Sequence, residues 1–182
     1  MTQTTARRAI VAATMAMLLA TACTSTRTQK SAGESVDDAV IATRVKGDLI
    51  SDPLTKARDI DVVVFKGRVQ LNGFVDSSAE SSQASSLARR VSGVTAVDNN
   101  LKLKGAERSP TDVIDDGALS TQVKAALAGD ERTKAYQIEV NTRNAVVLLA
   151  GFVNNAASRG AAGEIARDIK GVTRVDNQIA VK

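Results

Sequence analysis

Two apolar rhythms alternate along this chain, and they occur in the same order twice. Ile41, Val45 and Leu49 recur every four residues, as do Leu119, Val123 and Leu127, and each set forms the buried stripe of an amphipathic helix. Asp115 or Asp116 is placed to cap the second of these helices, which the pattern carries to about Ala128. The rhythm then shortens to two. Ile60-Asp61-Val62-Val63-Val64 and Ile138-Glu139-Val140-Asn141-Thr142 read as strands, followed by an alternating strand at Val69-Gln70-Leu71-Asn72-Gly73. Lys66-Gly67 and Arg143-Asn144 stand where tight hairpin turns are expected. Ser77 or Ser78, and Asn154 or Asn155, start a second helix in each half, which Gly93 and Gly171 end. A last strand follows at 94–103 and at 172–181.

The duplication is literal. Residues 36–104 align with 114–182 at a constant offset of 78 without a gap, and 28 of the 69 positions are identical. Asp52-x-x-Thr55-Lys56-Ala57 matches Asp130-x-x-Thr133-Lys134-Ala135. Val69-x-Leu71-x-Gly73-Phe74-Val75 matches Val147-x-Leu149-x-Gly151-Phe152-Val153. Gly93-Val94-Thr95-x-Val97-Asp98-Asn99 matches Gly171-Val172-Thr173-x-Val175-Asp176-Asn177. Residues 105–113 contain Gly, Ser and Pro and read as a linker. The fold class expected is α+β: two tandem αββαβ modules, each a three-stranded sheet with two helices packed on one face. Gly73 and Gly151 are expected to mark a close approach between a strand end and the following helix start.

The first 22 residues follow a different grammar. Arg7-Arg8 form a basic n-region, Ala9 to Ala20 a short apolar stretch, and Thr21-Ala22 small residues before Cys23, the parts of a secretory signal. The apolar stretch is short of the ~20 residues that a membrane span needs. Leu19-Ala20-Thr21-Ala22-Cys23 resembles a bacterial lipobox, except that Ala20 occupies the place where Leu is usual. The resemblance implies that Cys23 becomes the first mature residue and carries diacylglycerol and acyl chains such as palmitate. Thr24, where an Asp would favour the inner membrane, implies the outer membrane and a periplasm-facing position. The other processing outcome is a soluble periplasmic protein with Cys23 removed or left as an odd thiol. Residues 23–35 are rich in Ser and Thr and read as a flexible tether.

Composition then excludes chemistry. The chain has no His and no Trp, and Cys23 is its only Cys. An imidazole base, a Ser-His-Asp triad, an internal disulfide and a multi-thiolate metal site are all ruled out. No metal or cofactor is expected, and no catalytic residue. Asp37, Asp38, Asp59, Asp61, Asp115 and Asp116 fall at helix starts and strand edges, where capping and solvation explain them. Without Arg7 and Arg8, 22 basic residues face 20 acidic ones, too even a balance for nucleic-acid binding.

The αββαβ order, the V-x-L-x-G-x-V strand and the G-V-x-x-V-x-N ending together resemble the BON domain, over nearly all of residues 36–182. A lipobox followed by two such domains is similar to outer-membrane lipoproteins that bind anionic phospholipid, maintain envelope integrity and are not enzymes. In that group the second module binds lipid through its first helix. The resemblance directs attention to Ala118, Thr121, Gln122, Lys124, Ala125 and Ala128, on the face opposite Leu119, Val123 and Leu127. That face is small and nearly uncharged, with Lys124 and Lys134 available to phosphate. No Trp or Tyr is seen to seat the helix at an interface. The matching face of the first copy, with Val40, Arg44 and Asp48 nearby, reads as more polar. The alternative function is that of a protein-interaction adaptor, docking on an envelope partner through a sheet edge or serving a stress-related chaperone-like role, with no lipid binding of its own.

Overall fold

A computed structural model describes residues 32–56, 59–104, 115–133 and 136–182; the expected signal, Cys23 and the expected linker lie outside the described residues. The element order is α1 (Ala32–Ser51), β1 (Ile60–Phe65), β2 (Arg68–Val75), α2 (Ser78–Arg90), β3 (Ala96–Leu103), then α3 (Asp116–Gly129), β4 (Ile138–Arg143), β5 (Val146–Val153), α4 (Ala156–Asp168), β6 (Arg174–Asn177) and β7 (Ala180–Val181). Helix α1 begins four residues ahead of the expected module start. The expected last strand of the second copy is two pieces, β6 and β7, both parallel to β5.

In each half a hairpin pairs two antiparallel strands, and the second helix crosses over to bring the last strand parallel to the middle one. The inward faces of the strands meet the helix stripes. Ile41, Val45 and Leu49 pack with Ile60, Val69, Leu71 and Val75, and Val123 and Leu127 pack with Val140, Val147, Leu149 and Val153. The second helices contribute Ala84 and Ala88, or Ala162 and Ala166. These small side chains let each helix lie close to its sheet, which is how cores with so few aromatics are filled.

The repeated polar residues act as fasteners. Ser77 caps α2 by accepting from the Glu80 amide, and Asn155 caps α4 by accepting from the Ser158 amide. Asp115 caps α3 through the Gly117 amide, at 2.9 Å. The second Asp of each pair reaches elsewhere. Asp38 accepts from the Lys66 and Gly67 amides, each at 2.8 Å, and Asp116 from those of Asn144 and Ala145, at 2.7 and 2.9 Å. The turn residues all have positive φ: 51° and 75° in the first hairpin, 52° and 58° in the second. The second turn is therefore Asn144-Ala145, one residue beyond the expected Arg143-Asn144, because Arg143 is still paired with Val146 in the ladder. Asp38→Ala is expected to cost about 2–4 kcal/mol, since two charge-assisted bonds go and the amides are left without their acceptor. Urea unfolding of the variant checks this.

Two other motifs are explained in the same way. Thr133 donates its hydroxyl to the Leu127 carbonyl at 2.6 Å, and Thr55 donates to that of Leu49, so the D-x-x-T step closes the first helix of each module. Hydrogen bonding by the Gln83 amide, and by the amides of Leu54 and Thr55, holds the Asp52 carboxyl below the usual range despite its desolvation. In the V-D-N step, Asn99 donates to the Ser81 carbonyl and the Ser85 hydroxyl, and Asn177 to the Arg159 carbonyl. Each ties its last strand to the second helix.

The strand faces turned away from the helices are not open to water. Gln70 and Asn72 of β2 and Leu148, Ala150 and Phe152 of β5 point away from their own helices, yet all five are buried. The two sheets pack face to face. Phe65 and Phe152 stack with centroids 5.3 Å apart, the Gly151 amide donates to Gln70 Oε1 at 3.0 Å, and Lys102 pairs with Asp176 at 3.0 Å. Burial raises the Asp176 pKa, but the Lys102 ammonium and the Gln178 amide outweigh it, and the carboxyl ends below its usual range. The molecule is thus a four-layer stack of helices, sheet, sheet and helices, with α1 and α3 on opposite outer layers.

Gly73 and Gly151 serve the sheets rather than the helix starts. Both hold φ in the left-handed half, at 122° and 128°. A Cβ on Gly73 would stand 1.9 Å from the Asp59 carbonyl oxygen, and one on Gly151 2.5 Å from that of Gln137. The close approach is to the chain entering the first strand, a correction to the expected approach to the following helix.

Candidate membrane-contact surface

Helix α3 is positioned by its stripe: Leu119 and Val123 are fully buried and Leu127 nearly so. At 100° per residue, Ala118, Thr121, Gln122, Ala125 and Ala128 then project away from the sheet, with Lys124 at the border. All six are exposed. The structure therefore brings together on one exposed side every candidate to which the resemblance directed attention in this helix. Thr121 donates its hydroxyl to the Gly117 carbonyl at 2.9 Å. That bond satisfies the hydroxyl locally and lowers the polarity of the face.

Charge is arranged at the edge. Lys124 is in no ion pair among the described residues. Arg132, just past the helix, is committed: it binds Asp130 through Nε and Nη2 and reaches Glu164 at 3.4 Å. The guanidinium holds the Asp130 carboxyl down at about 2. Lys134 lies outside the described residues, as does Cys23.

One residue was missed. Tyr136, the only Tyr of the chain, stands at the C-terminal end of α3. With Lys124, Leu127, Ala128, Thr133, Gln137, Ile138 and Glu139 it lines an open depression of about 400 Å³. Lys182 Nζ lies 5.8 Å from its ring centroid and 4.9 Å from that of Phe65. The signal was available, since Tyr136 sits two residues before a strand that must return along the helix. An amphipathic ring beside a basic residue is suited to a membrane interface. Among the described residues, no helix is long and apolar enough to cross a membrane.

The two modules, each a hairpin and a crossover strand under two helices, define the class. The BON domain model matches residues 37–105 and again 115–182. This chain belongs to the BON-domain family. It is 34% identical over 151 residues to osmotically-inducible protein Y of Escherichia coli, covering 82% of this chain and 75% of that protein. It is 33% identical over 147 residues to the outer membrane lipoprotein DolP of Haemophilus influenzae, covering 80% and 75%, and equally to a 21 kDa hemolysin of Actinobacillus pleuropneumoniae.

Proposed function

We propose that this chain is a non-catalytic binding protein of the cell envelope. It is held at the periplasmic side of the outer membrane through a lipid on Cys23, and its second module recognises anionic phospholipid and so supports outer-membrane integrity. On this reading residues 1–22 are the signal, 23–35 the tether, 36–104 and 114–182 the two working modules and 105–113 their linker. One observation carries the lipid assignment: Ala118, Thr121, Gln122, Ala125 and Ala128 form one exposed, uncharged face on α3, bordered by Lys124 and Tyr136. Small side chains allow the helix to lie close against headgroups, and a basic residue near an anionic surface contributes roughly 1 kcal/mol. The similarity to a protein named as an outer membrane lipoprotein supports the location.

The test is co-sedimentation with vesicles of the chain from residue 23 onward, carrying Cys23→Ser so that no acyl chain is present. Binding is expected to vesicles containing phosphatidylglycerol and not to phosphatidylcholine alone, and it should weaken with added salt as the charge is screened. Ala118→Asp with Gln122→Asp should reduce the contribution of α3 at least tenfold. An absence of binding to either vesicle would overturn the reading in favour of docking on an envelope protein.

A further inference from the structure

The outer edge of the second sheet differs from its counterpart in the first. Arg159, Arg167, Lys170 and Arg174 are all exposed. At the offset of 78 they correspond to Ser81, Arg89, Ser92 and Ala96, so one basic residue in the first module stands against four in the second. The four line one strip, because α4 lies beside β6. The Arg159 carbonyl accepts from Asn177 Nδ2 at 2.7 Å. A Cβ on Gly163 would stand 3.0 Å from Asn177 Nδ2 and 3.2 Å from Arg167 Nη2, so the guanidinium is turned along the β6 side of the helix. Lys170 lies in the turn that follows, and Arg174 opens the strand. None of the four has an ion pair or a side-chain hydrogen bond among the described residues. The nearby carboxylates are engaged or face elsewhere. Asp176 is paired with Lys102, and Asp98 with Arg68. At 100° per residue, Glu164 and Asp168 fall on the flank of α4 nearer α3, where Glu164 meets Arg132. The strip is therefore positive over its whole length.

We infer that this strip and the β6 edge form a docking site for an extended, acidic polypeptide segment, which adds to the second sheet as a strand. Among the described residues no strand pairs with the outer side of β6, and an edge strand presents unpaired main-chain donors and acceptors. Three of the four cations are Arg, whose planar fork donates to both oxygens of a carboxylate. The spacing fits such a segment. Arg159 and Arg167 stand about 12 Å apart along the helix axis. Carboxylates four residues apart on one side of an extended strand are about 13 Å apart. Between Arg159 and Asn177 no large apolar side chain is exposed, so the strip has nothing to insert into a bilayer. Protection of the edge does not require these charges, because β3 exposes an edge of eight residues with Ser81, Ser92 and Ala96 at the equivalent places. The strip lies on the flank of α4 away from α3, so a module resting on lipid through α3 leaves the site in solution.

The test uses the Cys23→Ser chain and a short labelled peptide of alternating Glu and Thr, read by fluorescence anisotropy. The peptide should bind, more weakly as salt is added, and the same peptide with Lys for Glu should not. Arg159→Gln, Arg167→Gln, Lys170→Gln and Arg174→Gln together should lower the affinity roughly tenfold or more, as the charge-assisted contacts go. Arg89→Gln, at the equivalent place in the first module, should leave it unchanged, as should Ala118→Asp with Gln122→Asp on α3. Circular dichroism checks that these exposed replacements leave the fold intact. N-methylation of alternate peptide amides should abolish binding, because it removes the main-chain donors that strand addition uses. No binding of the Glu peptide, equal binding by the variant with all four Gln, or equal binding of the N-methylated peptide would each overturn the inference. If the Glu peptide fails and the same variant loses phosphatidylglycerol vesicles instead, the strip serves the bilayer, and the lipid reading stands without the docking site.

Discussion

Leu148→Asp is expected to destabilise the protein by about 4 kcal/mol or more, because it removes a fully buried aliphatic side chain and leaves a carboxylate unpaired between two sheets. Leu148 faces away from the helices of its own module, so its burial depends on the packing of one sheet on the other. An isolated module would leave this position at a solvated surface, and the substitution would then cost under about 1 kcal/mol. Urea unfolding followed by both fluorescence of an attached probe and circular dichroism separates the two cases. The equivalent position in the first copy holds Gln70, which is also buried but has a partner in the Gly151 amide. The interface is thus asymmetric: the second sheet contributes Leu148, Ala150 and Phe152, the first Phe65 together with the amides of Gln70 and Asn72. Asn72 Nδ2 and Asn141 Nδ2 are buried there without a hydrogen-bond partner among the described residues.

The second large effect is at Gly73. Gly73→Ala is expected to cost about 3 kcal/mol or more, because a φ of 122° is strained for any L side chain and the new methyl would overlap the Asp59 carbonyl oxygen. That carbonyl also accepts from the Phe74 amide at 3.1 Å, so any relief by backbone movement loosens the β1–β2 register. Gly151→Ala meets its carbonyl at 2.5 Å rather than 1.9 Å and should cost less. Thermal unfolding of the two variants gives the ranking, and a reversed order would contradict the geometry described.

Much of this was legible because each rhythm is set by local geometry. The four-residue spacing of Ile41, Val45 and Leu49 identified a helix stripe, and the offset of 78 carried every assignment from one copy to the other. The caps were readable to within one residue, as Ser77 or Ser78, Asn154 or Asn155 and Asp115 or Asp116, because short polar side chains reach the free amides of a helix start, and the structure selects Ser77, Asn155 and Asp115. The second hairpin was misplaced by one residue because Ala145 holds a left-handed φ of 58°, a conformation that its side chain does not advertise. The four-layer stacking was hidden in β2, where alternating Gln70 and Asn72 look solvated. It was visible in β5, whose run Val146-Val147-Leu148-Leu149-Ala150 has no polar face and so reads as a strand covered on both sides. Periodicity gave the outward side of α3, and the resemblance to the BON domain drew attention to it.

The central claim is that the outer face of α3 meets anionic lipid, and a probe at its centre tests it most directly. Cys23 is the only natural cysteine, so a chain with Cys23→Ser and Ala125→Cys takes one environment-sensitive fluorophore at the middle of that face. The account predicts a blue shift and increased intensity on adding phosphatidylglycerol vesicles, with no change on adding phosphatidylcholine vesicles. An unchanged spectrum with phosphatidylglycerol vesicles, under conditions where the protein sediments with them, would contradict it and place the contact elsewhere on the molecule.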